Sequence, residues 1–247
     1  MPTKSKSQFF YSLGDTILQH VEQNPYLGIQ ISSDLKWSTH ITGLCKKVGS
    51  TIGFLRRNLR NCPQECRRLA YIALARSSLE YAAVVWDPYL RKDIDKLESM
   101  QRRAARFITK DYKSRDPGCV GRMLDTLKLP PLEERRRQLR LNMLYKIVND
   151  LTPALPAGDF LTQSSSERRR VRPTAYDGYE THNIIQRQAK NNSRCFKVPP
   201  SKTDQYRNSF FVRTVVEWNS LPDDVVKLPT LSSFASATGR LPVTFKF

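Results

Sequence analysis

No stretch of this chain reaches the about 18 consecutive apolar residues that a membrane-spanning helix needs, so no segment reads as a span. The chain opens without an apolar secretory segment, and its cysteines, at positions 45, 62, 66, 119 and 195, are odd in number. Both features argue against a disulfide framework and for a reducing compartment, nuclear or cytoplasmic and not secreted. Cys62 and Cys66 lie four apart, but no second Cys or His pair follows at zinc spacing. They read as small apolar residues at a helix start. Histidine is scarce too: His20, His40 and His182 are all there is. None stands beside a nucleophile motif such as Gly-x-Ser-x-Gly, and no glycine-rich loop cradles a phosphate. Asp223-Asp224, after Leu221-Pro222, reads as a solvated turn that starts a short helix rather than half of a two-metal site. No catalytic group, metal or cofactor is expected.

Acidic residues are also in short supply. Lys and Arg number 41 against 23 Asp and Glu, a formal net charge of +18. Such a surplus repels itself, and a polyanionic partner is the natural reason to keep it. Nucleic acid is the first candidate, ahead of an anionic membrane face or a merely soluble basic surface. With 247 residues the chain is long enough for a real core. Pro (15) outnumbers Gly (10), and the hydrophobic fraction is 39%. These numbers fit folded helical parts joined by poorly ordered ones.

Taken in order, residues 1–8 read as a disordered terminus. Residues 9–12 and 16–21 read as two strands around a tight turn, and residues 26–31 as a third, giving a small three-stranded sheet over 9–37. A helical region over 38–150 follows. Ser38 is the expected N-cap of a helix over 39–60, with Ile41, Leu44, Cys45, Val48, Ile52 and Leu55 on its apolar face. A helix or bent pair opens at Pro63 and stops at Asp87-Pro88. Another spans 92–109, with Ile94, Leu97, Gln101, Ala104, Ala105 and Ile108 along one side. A short helix covers about 120–127. A longer one, 132–149, buries Leu139, Met143, Leu144, Ile147 and Val148 and exposes Arg135, Arg136, Arg137 and Arg140. Residues 151–205 read as a basic flexible linker centred on Glu167-Arg168-Arg169-Arg170. Residues 206–247 form a small C-terminal helical segment. The fold class is thus mainly α, with a small N-terminal β element.

Between residues 44 and 148 there are 24 Lys and Arg against 11 Asp and Glu, so most of the surplus charge rides on the helices. Lys46, Lys47, Arg56, Arg57, Arg60, Arg102, Arg103, Arg106, Arg135 and Arg136 are the candidate phosphate-binding residues. Cations on a backbone position a duplex but carry no base code, so little sequence preference is expected. Trp37, Tyr81 and Trp86 read as core rather than as base-stacking platforms. His40 reads as a packing and capping residue.

Six motifs in order carry a family resemblance: Tyr26-Leu27-Gly28-Ile29, Leu35-Lys36-Trp37-Ser38-x-His40-Ile41, Gly53-Phe54-Leu55-Arg56-Arg57-Asn58-Leu59, Leu79-Glu80-Tyr81-Ala82-x-x-Val85-Trp86-Asp87-Pro88, Gln101-Arg102-Arg103-Ala104-Ala105-Arg106-Phe107-Ile108 and Trp218-Asn219-x-Leu221-Pro222. Together they resemble the C-terminal part of a non-LTR retrotransposon reverse transcriptase of the Jockey-like branch. The resemblance implies that residues 26–31 end the palm and that the following helices form a thumb gripping a template–primer duplex. It implies an RNA–DNA hybrid or duplex backbone as partner, with the rest of the palm and the fingers as a second one. The family's polymerase aspartates sit upstream, in an Ala-Asp-Asp hairpin and an earlier strand, and neither is in this sequence. The chain therefore reads as a non-polymerising fragment. The competing reading is a basic helical protein-interaction module.

Overall fold

The computed structural model describes residues 11–164 and 192–239. The expected disordered terminus, the Glu167–Arg170 cluster and His182 lie outside the described residues. Two antiparallel hairpins come first: β1 (Ser12–Leu13) with β2 (Thr16–Ile17), and β3 (Gln23–Tyr26) with β4 (Ile29–Ser32). The expected three-stranded sheet is thus two separate hairpins, and the expected single strand over 26–31 folds back on itself. The reversal is at Leu27 (φ 46°) and Gly28 (φ 81°), with Tyr26 paired to Ile29. Positive φ at both central residues is the type I′ pattern of a two-residue hairpin turn, which glycine tolerates and leucine accepts only under constraint. That constraint is visible: the Tyr81 hydroxyl donates to the Leu27 carbonyl at 3.0 Å.

The helices begin with α1 (Ser38–Asn58), which buries His40, Ile41, Cys45, Val48, Ile52 and Leu55. Leu44 is only half-buried. Ser38 does not cap α1. Its hydroxyl donates to Asp93 Oδ2 at 2.6 Å and ties the start of α1 to the next long helix. Then come α2 (Gln64–Ala70), a π-helical turn (Tyr71–Arg76), α3 (Ser77–Glu80) and α4 (Ala83–Trp86). The expected bend falls at Ala82, whose φ of 50° ends one helix before the other starts. α5 (Arg91–Thr109) packs along α1, with all six expected apolar-face residues buried. The buried Arg67 donates to the Ile108 carbonyl through Nε and Nη2, at 2.9 and 2.6 Å, closing the C-terminus of α5 with positive charge. α6 (Cys119–Thr126) and α7 (Leu132–Val148) follow.

The remaining helices are short: α8 (Ala157–Phe160), α9 (Asp204–Arg207), α10 (Phe210–Asn219), α11 (Asp223–Val226) and α12 (Leu231–Thr238). Among the described residues there are two hydrophobic cores. The first joins α1 to α6 and the start of α7 around Trp86, Leu97 and Ile108. The second joins the C-terminal half of α7 to α10, α11 and α12 around Tyr145, Trp218 and Phe234. Helix α7 belongs to both.

The described ends of the expected flexible linker are packed, not loose. Leu161 and Phe196 are buried in the second core, and Cys195 is buried between them and the end of α10, its Sγ close to the Asn192 carbonyl. Gln163 pairs with Phe196, and the Asn219 side chain clamps the Phe196 backbone, accepting from its N–H at 2.9 Å and donating to its carbonyl at 2.8 Å. Residues far apart in sequence supply these contacts, so local composition could not foretell them.

Candidate nucleic-acid interface

Helices α1 and α5 leave an open groove of about 790 Å³ along their shared surface. Lys46 and Arg57 enter it from α1, Lys96 and Arg103 from α5, and none of its lining residues is acidic. The spacing explains the convergence. Lys96 and Arg103 are seven apart and share a face of α5, while Lys46, Gly49, Gly53 and Arg57 climb one stripe of α1. Glycine inside a helix costs about 1 kcal/mol against alanine, so two on one stripe call for a reason. A Cβ on Gly49 would stand 3.3 Å from Arg103 Nη1, closer than a comfortable contact. Gly49 thus leaves room for the Arg103 guanidinium where the two helices face each other. Lys96 Nζ donates to Thr42 Oγ1 at 2.8 Å, which holds the ammonium at the rim.

The ten expected residues separate sharply. Lys46, Arg57 and Arg103 meet in the groove, and Lys96 joins them. Lys96 was not among the expected residues, although its seven-residue spacing from Arg103 was a readable signal. Lys47 is exposed and faces a different cleft, between β3, β4 and α3. Arg56 lies over the Tyr112 ring, 5.3 Å from its centroid. Arg60 and Arg102 are exposed outside the groove.

The other three are engaged in the structure. Arg106 donates to the carbonyls of Asp111 and Ser114 at 3.1 and 3.0 Å and so braces the loop after α5. Arg135 forms a two-pronged ion pair with Glu80. Arg136 is 1% exposed, and its Nε donates to Asp87 Oδ1 at 2.7 Å. The expectation that Arg135, Arg136, Arg137 and Arg140 are exposed is therefore wrong: three of the four are buried and Arg135 is half-buried. The physical reason is the double packing of α7, which leaves it no wide solvent face. Its arginines meet Asp87 at the end of α4 and Glu217 on α10, with Arg140 Nη2 at 2.5 Å from Glu217 Oε1. Arg213 joins them, its Nη1 3.2 Å from Asp87 Oδ2. Burial pulls Arg136 down to about 10 and Arg140 to about 10, and both stay protonated at neutral pH.

His40 packs against Trp86, with ring centroids 5.2 Å apart, and its Nδ1 accepts the Gln30 N–H at 3.2 Å. It anchors the second hairpin to α1 rather than capping the helix. Burial holds its pKa below the ordinary value of 6.5. The folded chain therefore prefers neutral His40, while the unfolded chain binds the proton more readily. Its contribution to stability is complete above pH 6.5 and is lost as pH falls below that value. Urea unfolding at pH 7 and 5.5 should show the chain less stable at the lower pH, by at most about 1.4 kcal/mol per pH unit for this group. His40→Gln should flatten that part of the dependence. An equally steep profile in the variant would remove His40 as its source.

The Asp223 carboxylate lies well below the usual range, held there by the Lys227 ammonium and the Ser193 N–H. It opens α11 as a surface turn. Among the described residues no group of three or more His, Cys, Asp and Glu could hold a metal ion, and no helix is long and apolar enough to cross a membrane. No protein-family model, curated protein or solved structure matches this chain.

Proposed function

We propose that this chain grips the sugar–phosphate backbone of an RNA–DNA hybrid or duplex without sequence preference, as a thumb-like fragment of a non-LTR retrotransposon reverse transcriptase. One observation carries the reading: four cations converge on a groove between two long helices with no carboxylate in its walls. Charge of one sign in a trough favours a polyanion, and phosphate contacts of this kind need no base readout. The proposal includes that the 247-residue chain does not extend primers, since its sequence contains no Ala-Asp-Asp triplet. Incorporation of nucleotides by the purified chain would overturn that part.

Hybrid binding measured across salt concentrations tests the grip. Four released counterions correspond to a slope of about 3.6 in log affinity against log salt. Affinity should then fall about a hundredfold between roughly 50 and 200 mM salt. The variant Lys46→Ala/Arg57→Ala/Lys96→Ala/Arg103→Ala should lose most of that slope and keep its melting temperature. An unchanged slope would move the contact elsewhere.

The exposed apolar side chains of the hairpins, among them Tyr11, Leu13, Ile17, Tyr26 and Leu27, favour a second reading. In it the chain is a protein-interaction module, and the sheet of a polymerase palm would be one such partner. Hybrid binding that is weak and insensitive to salt would favour that reading.

A further inference from the structure

Residues 11–35 hold three acidic residues, Asp15, Glu22 and Asp34, and no Lys or Arg, so all 41 cations of the chain lie elsewhere. Asp34 is itself paired with Lys36 at 3.6 Å. The same segment exposes nine large apolar side chains, with Tyr11, Leu13 and Leu27 each 70% exposed or more. Register sorts those of the first hairpin. Ser12 stands opposite Ile17 and Leu13 opposite Thr16, and the Leu18 N–H donates to the Tyr11 carbonyl at 2.8 Å. Tyr11, Leu13 and Leu18 therefore share one face. Every residue from 11 to 28 is exposed, so among the described residues nothing covers that face. A two-stranded hairpin without a packed face is marginal on its own in water. The second hairpin is closed to a further strand. The outward Gln30 N–H of β4 is taken by His40 Nδ1 at 3.2 Å, and its opposite number on β3, Pro25, has no N–H to give. Contact at the second hairpin thus runs through side-chain faces, not through strand addition.

We propose that residues 11–35 are where a second copy of this chain docks, face to face, in a closed twofold dimer. Three observations choose that occupant. Exposed apolar side chains gathered in one segment call for apolar cover. The segment is 25 residues long, and each side of a standard interface contributes about 20–30. Chains of net charge +18 repel one another wherever their cations face, and on this segment two copies can meet without apposing any Lys or Arg of the segment. A twofold contact uses the same patch on both copies and therefore stops at two. No residue of the basic groove falls within residues 11–35, so both grooves stay open, and the proposal stands whether or not they bind a hybrid.

Analytical ultracentrifugation of the full chain tests it. The mass should pass from one chain to two as concentration rises and stop there. Added salt shortens the screening length from about 10 Å at 0.1 M to about 3 Å at 1 M, so it should relieve the repulsion and tighten the dimer, opposite in sign to its effect on the hybrid contact. Leu13→Lys/Tyr26→Lys sets two cations per copy on the surface. Both side chains are exposed, so the melting temperature should hold, while the dissociation constant of the dimer should rise roughly tenfold or more. Leu151→Lys, at an exposed apolar position outside the segment, should dimerise as wild type does. A one-chain mass at submillimolar concentration would leave the hairpins to a different protein and overturn the dimer. Growth beyond two chains, an association that weakens as salt rises, or a dimer indifferent to Leu13→Lys/Tyr26→Lys would each overturn it as well.

Discussion

Replacing Asp87 with Ala is expected to destabilise the chain by about 3–5 kcal/mol, the range for breaking a buried ion pair from one side. The Asp87 side chain is 5% exposed and faces Arg136, Arg140 and Arg213 at once. Arg136 and Arg140 remain protonated at pH 7 despite burial that pulls each to about 10, so removing the carboxylate leaves positive charge out of water. For a chain of this size the loss corresponds to a fall in Tm of very roughly 6–20 °C. Thermal and urea unfolding at pH 7 would measure it. Asp87→Asn, which still accepts hydrogen bonds but carries no charge, should fall between wild type and Asp87→Ala. A variant within about 0.5 kcal/mol of wild type, the scatter of neutral surface changes, would show that water already solvates these arginines. Because Asp87 follows α4 and its partners sit on α7 and α10, the variant should loosen the contact between the two cores before it loosens either core.

The second large effect is expected at Trp86, whose replacement by Ala should cost about 3–5 kcal/mol. Its side chain is fully buried, stacked at an angle on His40, and its Nε1–H donates to the Tyr81 carbonyl at 2.8 Å. Truncation would leave a cavity and strip that carbonyl of its donor just where α3 breaks into α4. Trp86→Phe should cost less, since it refills most of the volume but not the hydrogen bond. In urea unfolding both variants should shift the midpoint, while the hybrid-binding salt slope of the folded protein stays that of wild type. A normal midpoint with weaker hybrid binding would instead make Trp86 a base-stacking residue.

The long helices were legible in the sequence, and the reason is physical. Helices α1 and α5 each bury one apolar stripe, and Pro131 marks where α7 starts, so period and boundary appear in the residues themselves. The expected span 39–60 is observed as Ser38–Asn58, 92–109 as Arg91–Thr109 and 132–149 as Leu132–Val148. The hairpin at Leu27-Gly28 was missed because Leu-Gly lacks the Asn-Gly or Asp-Gly signature, and a tyrosine 54 residues away holds it. The basic groove was half visible. Lys46, Arg57 and Arg103 were named, but nothing in one-dimensional spacing could say that Arg56 would settle on Tyr112 or that Arg106 would brace a loop.

Charge alone settled that the helical surface is cationic, and hydrophobic period alone settled that it is helical. Which arginines remain available to a ligand was decided only by the tertiary structure. An arginine's fate depends on whether a carboxylate arrives beside it, and Asp87 and Glu217 reach α7 from 49 and 77 residues away in the chain. Such a meeting is set by how two cores share one helix, which leaves no mark in the local pattern of α7 itself.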